Sequence, residues 1–96
     1  MAGRAFQRYT LGNLPAGCSV VVELSTGANV RLMTPADFSN YKTGRAYRYF
    51  GGLARTTPAR ITVPRSGEWI LAVDLAGLAA SSVTTKVTVR RAGLST

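Results

Sequence analysis

The side chains with the most chemical potential lie in one run, Tyr41-Lys42-Thr43-Gly44-Arg45-Ala46-Tyr47-Arg48-Tyr49-Phe50-Gly51-Gly52. Cations interleaved with tyrosines are what a nucleotide or single-strand platform uses: ring faces stack on bases while guanidinium groups pair with phosphates. From Phe38 to Gly67 six basic residues occur (Lys42, Arg45, Arg48, Arg55, Arg60 and Arg65) and no carboxylate offsets them. Lys42, Arg45, Tyr47, Arg48, Arg55 and Arg60 form the candidate ligand-binding set. The competing reading is packing: Tyr47 and Tyr49 share one face of an extended segment and cover the core, while Arg48 solvates the other. The alternation favours packing. Gly51-Gly52 beside Arg55 offers backbone N–H groups that could cradle a phosphate. It lacks the helix and the Lys-Ser/Thr ending of a P-loop, so a plain turn is the simpler reading.

Catalysis has little to work with. The 96 residues include no His, one Cys and four carboxylates, Glu23, Asp37, Glu68 and Asp74, scattered along the chain. Without imidazole there is no Ser-His-Asp or Cys-His relay and no His-containing metal site. One Cys excludes an intramolecular disulfide and multi-Cys metal arrangements. Cys18 sits in an apolar, alternating run and reads as a buried, valine-like thiol. Asp74 ends a strong strand before Ala76-Gly77. It is expected to accept turn N–H bonds or to pair with an Arg of the basic stretch. Trp69 reads as a core anchor. The composition therefore predicts no enzyme, no metal and no cofactor.

The formal net charge is +8, from 12 Lys and Arg against 4 Asp and Glu. Such an excess attracts polyanions, nucleic acid and nucleotides among them. Most of the basic residues are Arg and the chain is rich in Ala and Gly, so GC-rich coding is a second source of the same charge. No apolar run is long enough for a membrane helix. The N-terminal MAGRAFQRYT carries no apolar h-region of a secretory signal. With a lone Cys, those features predict a reducing cytoplasm.

The elements that must position these residues follow a period of two. In 67–75 Trp69, Leu71, Val73 and Leu75 share a face; in 82–90 Val83, Thr85, Val87 and Val89 do so. Cys18, Val20, Val22 and Leu24 share another, and the central Val run suggests burial on both sides. Residues 25–29 read as a hairpin loop leading to a short strand near Val30–Met33. Residues 45–50 and 59–63 read as short strands and 5–11 as a weaker first one. Thr34-Pro35-Ala36-Asp37 breaks the period with a capping hydroxyl, Pro at the first helical position and a carboxylate three residues after the cap. It starts one or two helical turns near 35–42, pinned by Phe38 and ended by Gly44. Residues 90–96 read as a frayed tail. About seven short strands in a chain of this length predict one domain spanning 1–96, a small all-β antiparallel β-sandwich, jelly-roll-like.

Three pieces carry a resemblance. They are Val30-Arg31-Leu32-Met33 with Phe38-Ser39-Asn40-Tyr41-Lys42; the Tyr49-Phe50-Gly51-Gly52 turn; and Pro58-Ala59-Arg60-Ile61-Thr62-Val63-Pro64 leading to Ser66-Gly67-Glu68-Trp69 and Val73-Asp74-Leu75. With these, the stretch from Asn29 to Val89 resembles a small bacterial family catalogued as domain of unknown function 1883. The resemblance implies a compact β-sandwich. It also implies that similar domains occur alone or beside Toll/interleukin-receptor-type modules, which suits a sensing or adaptor role. It brings no catalytic residues with it. Two function classes remain. One is a non-catalytic binding or adaptor module presenting the basic Arg/Tyr surface to an anionic ligand, a nucleotide or nucleic acid. The other is a protein–protein interaction or self-assembly module that uses sheet edges or an apolar face, with a protein partner or a homo-oligomer as the outcome.

Overall fold

Alternating β-branched and apolar residues build seven strands, and one capped segment builds a helix, in the computed structural model, which describes residues 6–91. In chain order these are β1 (Gln7–Leu14), β2 (Ser19–Leu24), β3 (Ala28–Met33), α1 (Pro35–Lys42), β4 (Phe50–Ala54), β5 (Ala59–Thr62), β6 (Gly67–Asp74) and β7 (Thr85–Arg90). One sheet has the order β1-β6-β3-β4 and the other β5-β2-β7, and every pairing is antiparallel. The chain is an all-β sandwich, as the periodicity predicts.

The core lies between the two sheets. Val20, Val22 and Leu24 of β2 with Cys18 meet Val30 and Leu32 of β3 and Trp69, Leu71 and Val73 of β6. Trp69 anchors it: the indole is buried, its Nε1–H donates to the Arg65 carbonyl at 3.1 Å, and Phe50 stands edge-on to it. Cys18 is a buried free thiol. Val21, between the inward residues of β2, is also buried, so the central valines are covered on both sides.

The helix forms where its start signal stands. Thr34 is the N-cap, its hydroxyl accepts from the Asp37 N–H at 3.2 Å, and Pro35 opens the first turn. Phe38 and Tyr41 face the outer side of the larger sheet and meet Met33 and Ala72 in a second apolar cluster, joined by Phe6, Tyr47 and Ile70. The helix is eight residues long, too short to hold itself in water, so this buried face stabilises it.

Several local expectations are corrected. Gly51-Gly52 is not a turn: both residues lie within β4, opposite Arg31 and Val30 of β3. The strand expected over 82–90 begins only at Thr85. The segment 45–50 is not a strand; β4 begins at Phe50. In 45–49 the backbone leaves the sheet because other partners take it up. The Arg48 N–H donates to the Asp37 carboxylate at 3.2 Å, and the Tyr47 ring packs between Tyr41 and Tyr49 at 5.1 and 5.6 Å. Residues 25–27 do not close a hairpin either. β2 and β3 belong to different sheets, so the turn carries the chain from one layer to the other. Leu24 before it and Ala28 after it enter the shared core from opposite layers. The tail expected over 90–96 does not begin at Arg90, which ends β7 opposite Ser19; residues 92–96 of it lie outside the described residues.

Gly51 lets β4 lie close both to β3 of its own sheet and to Ile61 of the opposite layer. Its φ of +114° is in the region that disfavours side chains, and a Cβ there would run into the Val30 carbonyl oxygen and stand 2.9 Å from Ile61 Cδ1. Gly52, at φ +143°, has open space at the same position. Gly51→Ala is therefore expected to cost about 3 kcal/mol or more, from backbone strain plus overpacking, and Gly52→Ala about 1–2 kcal/mol from strain alone. Urea denaturation of the two variants checks the order.

Candidate functional site

The structure brings polar side chains together most tightly around Asp74, at the end of β6. Asp74 is buried at the end of β6, a central strand of the larger sheet, so its charge requires partners. Register supplies the first two. Asn29 of β3 is the direct cross-strand partner of Asp74, and Arg31 lies two residues along the same face. The Asn29 amide donates to Oδ1 at 2.7 Å and to the Ala76 carbonyl at 3.0 Å. The Arg31 guanidinium forms an ion pair with Oδ2. From α1, the Tyr41 hydroxyl donates to Oδ2 at 2.5 Å. The turn after the strand adds the Ala76 N–H, 3.1 Å from Oδ1. Both expected roles of Asp74, accepting a turn N–H and pairing with an Arg, are present, but the Arg is Arg31, outside the basic stretch.

Burial alone raises the Asp74 carboxyl. The hydrogen bonds from Tyr41, Asn29 and the Ala76 N–H, with the Arg31 charge, outweigh it and hold the group below its ordinary value of 3.8. Every donor aims at the carboxylate, so this is a brace rather than an acid–base pair. Arg31 extends the brace outward: its guanidinium lies 5.8 Å from the Tyr41 ring centroid and 5.3 Å from that of Tyr49. Phe6, Phe38, Tyr41, Tyr47 and Tyr49 thus form a chain of packed rings over the outer sheet face.

The predicted set divides into two places. Lys42, Arg45 and Arg48 are exposed on the end of α1 and the segment after it. Lys42 Nζ stands 5.4 Å from the Phe38 ring centroid. Tyr47 is half-buried and engaged on both sides by other tyrosines, the packing role that alternation favours. Tyr49 is 41% exposed. Arg55 and Arg60 belong elsewhere, lining a groove between β4 and β5 with Gly51 and Gly52. All six basic residues from Lys42 to Arg65 are exposed, and the ion pair between Arg31 and Asp74 is the only one among the described residues. No group of three or more His, Cys, Asp or Glu side chains that could hold a metal ion occurs among them.

Sequence reasoning missed Asn29, Arg31 and Tyr41 as partners of Asp74. Polar residues at alternate positions 29 and 31 of an otherwise apolar strand were the available signal, but nothing in the sequence says which strand lies opposite.

Fold and site together define a small β-sandwich whose outer sheet face is covered by one helix and braced by a carboxylate–guanidinium–tyrosine hub. The chain belongs to the family described as domain of unknown function (DUF1883), whose model matches residues 4–91, more than the stretch that carries the resemblance in sequence. No curated protein and no solved structure matches it. No helix among the described residues is long and apolar enough to cross a membrane.

Because the Asp74 value is lower in the folded state than in the unfolded one, its stabilisation is fully present above pH ~4 and is lost as pH falls through the folded value. Asp74→Asn should remove that part of the acid destabilisation, seen in urea titrations between about pH 2.5 and 6. Tyr41→Phe should cost about 1.5–3 kcal/mol at neutral pH, as expected for a hydrogen bond to a charged group.

Proposed function

We propose that this domain is a non-catalytic binding or adaptor module of the bacterial cytoplasm that presents a basic surface to an anionic ligand, a nucleotide or nucleic acid. One observation carries the reading: the six basic residues from Lys42 to Arg65 face solvent, and among the described residues no carboxylate forms an ion pair with any of them. Cations left unpaired on a surface favour polyanions over the chain's own groups. The carboxylates give no support to acid–base chemistry, since Asp74 is consumed by its donors and Glu23 and Glu68 stand on separate, exposed strand positions. A buried free thiol at Cys18 suits a reducing compartment.

A second reading is favoured by a different observation. The edge strand β4 exposes Phe50 and Leu53, 40% and 45% accessible, beside its free side. Apolar side chains on an open edge suit a protein partner or self-assembly.

Fluorescence anisotropy with labelled single-stranded DNA, RNA and nucleotides tests the first reading. Three phosphate contacts should weaken single-strand binding roughly twentyfold for a fourfold rise in salt. Charge reversal by Lys42→Glu, Arg45→Glu and Arg48→Glu together should abolish it. Absence of binding at low salt would exclude this reading.

A further inference from the structure

We propose that the groove between the free edges of β4 and β5 is a docking site for an extended acidic peptide segment of a partner protein. The proposal rests on the protein-interaction reading and names the partner's chemistry.

The groove is a consequence of topology. β4 ends one sheet and β5 ends the other, and the four-residue link Arg55–Pro58 carries the chain between them. Two edges therefore open on the same side of the sandwich and enclose a groove of about 340 Å³. Val30 lies at its base, Gly51 and Leu53 on the β4 side, Arg60 and Ile61 on the β5 side, and Arg55 at the link. Gly51 and Gly52 place no side chain on the β4 side of the groove, and a Cβ at Gly52 would meet nothing within 4 Å.

Three features select the occupant. Edge strands leave N–H and C=O groups unpaired on one side, which an extended chain can satisfy as an added strand. Exposed Leu53 lines the groove together with the largely buried Ile61 and Val30, so alternate side chains of that strand meet apolar surface. Arg55 and Arg60 are exposed and no carboxylate lines the groove, so the intervening side chains are expected to be acidic.

Charge also argues against a second copy. In a two-fold pairing the same patch meets itself, which would set Arg55 and Arg60 against one another in a chain of net charge +8. Of the remaining carboxylates, Glu23, Asp37 and Glu68, none lines the groove. Nucleic acid is disfavoured here because the groove's lining holds no aromatic ring. The neighbouring Phe50 ring is turned edge-on against Trp69 at 5.9 Å.

The test is fluorescence anisotropy of the full chain with a labelled peptide of alternating Glu and Val. Controls are a Lys/Val peptide of equal length, the Glu/Val peptide with alternate amides N-methylated, and single-stranded DNA. The Glu/Val peptide should bind. Arg55→Glu with Arg60→Glu should weaken it at least tenfold, N-methylation should do the same, and the Lys42→Glu, Arg45→Glu, Arg48→Glu variant should leave it within about twofold; circular dichroism verifies that each variant is folded. Equal binding of the Lys/Val peptide, indifference to the groove substitutions, or no peptide binding at low salt would overturn the proposal. DNA binding that survives the groove substitutions while the peptide fails would overturn it yet leave the anionic-ligand reading standing. Concentration-dependent dimerisation lost in Arg55→Glu with Arg60→Glu would overturn it in favour of self-association.

Discussion

A carboxylate buried in an apolar sheet must be met by donors on every open side, and the larger sheet of this domain is organised around meeting Asp74. An unpaired buried charge is costly, so each partner that reaches Asp74 stabilises the fold. β3 supplies Asn29 and Arg31, α1 supplies Tyr41, and the turn after β6 supplies the Ala76 N–H. This requirement fixes more than one local bond. It specifies the β3/β6 register, because a slip by one residue would turn both Asn29 and Arg31 away from the carboxylate. It also sets the height and rotation of a helix too short to form alone.

The consequences run outward from the hub. Arg31 touches Tyr41 on one side and Tyr49 on the other, so the segment between helix and β4 is tied to the same centre that holds the strands. Tyr47 fills the space between those two rings. With Tyr41 buried and Tyr47 packed between its neighbours, Lys42, Arg45 and Arg48 are left on the outside beside the half-exposed Tyr49. The basic character of that surface is thus what remains after the tyrosines have packed.

Charge is distributed in two unlike ways. One guanidinium is consumed internally, while the cations from Lys42 to Arg65 face water without carboxylate partners. The second group is divided by the sandwich itself. The helix side receives Lys42, Arg45 and Arg48; the open side, where β4 crosses to β5, receives Arg55 and Arg60 beside an apolar wall. Two surfaces of different chemistry therefore arise from one basic stretch. The helix side resembles a polyelectrolyte surface, whereas the edge groove combines cations with unpaired backbone and aliphatic side chains.

Period-two alternation in 18–24, 67–75 and 82–90 determined the strands, the inward residues and the all-β class, because one buried face imposes that period on any half-covered sheet. Thr34, Pro35 and Asp37 determined the helix start, since capping is satisfied within four residues. The plain turn expected at Gly51-Gly52 is absent: both residues sit inside β4, where Gly51 closes onto the Val30 carbonyl and Ile61. Tertiary structure alone decided that residues 25–27 cross between sheets, that 45–49 leaves the ladder for aromatic packing, and that Arg31 rather than a residue of the basic stretch neutralises Asp74. The physical reason is common to all three. Local propensity constrains a residue's own backbone and face, whereas the partner across a strand pair or a sheet interface is set by how the chain buries its apolar surface and satisfies the charge of Asp74.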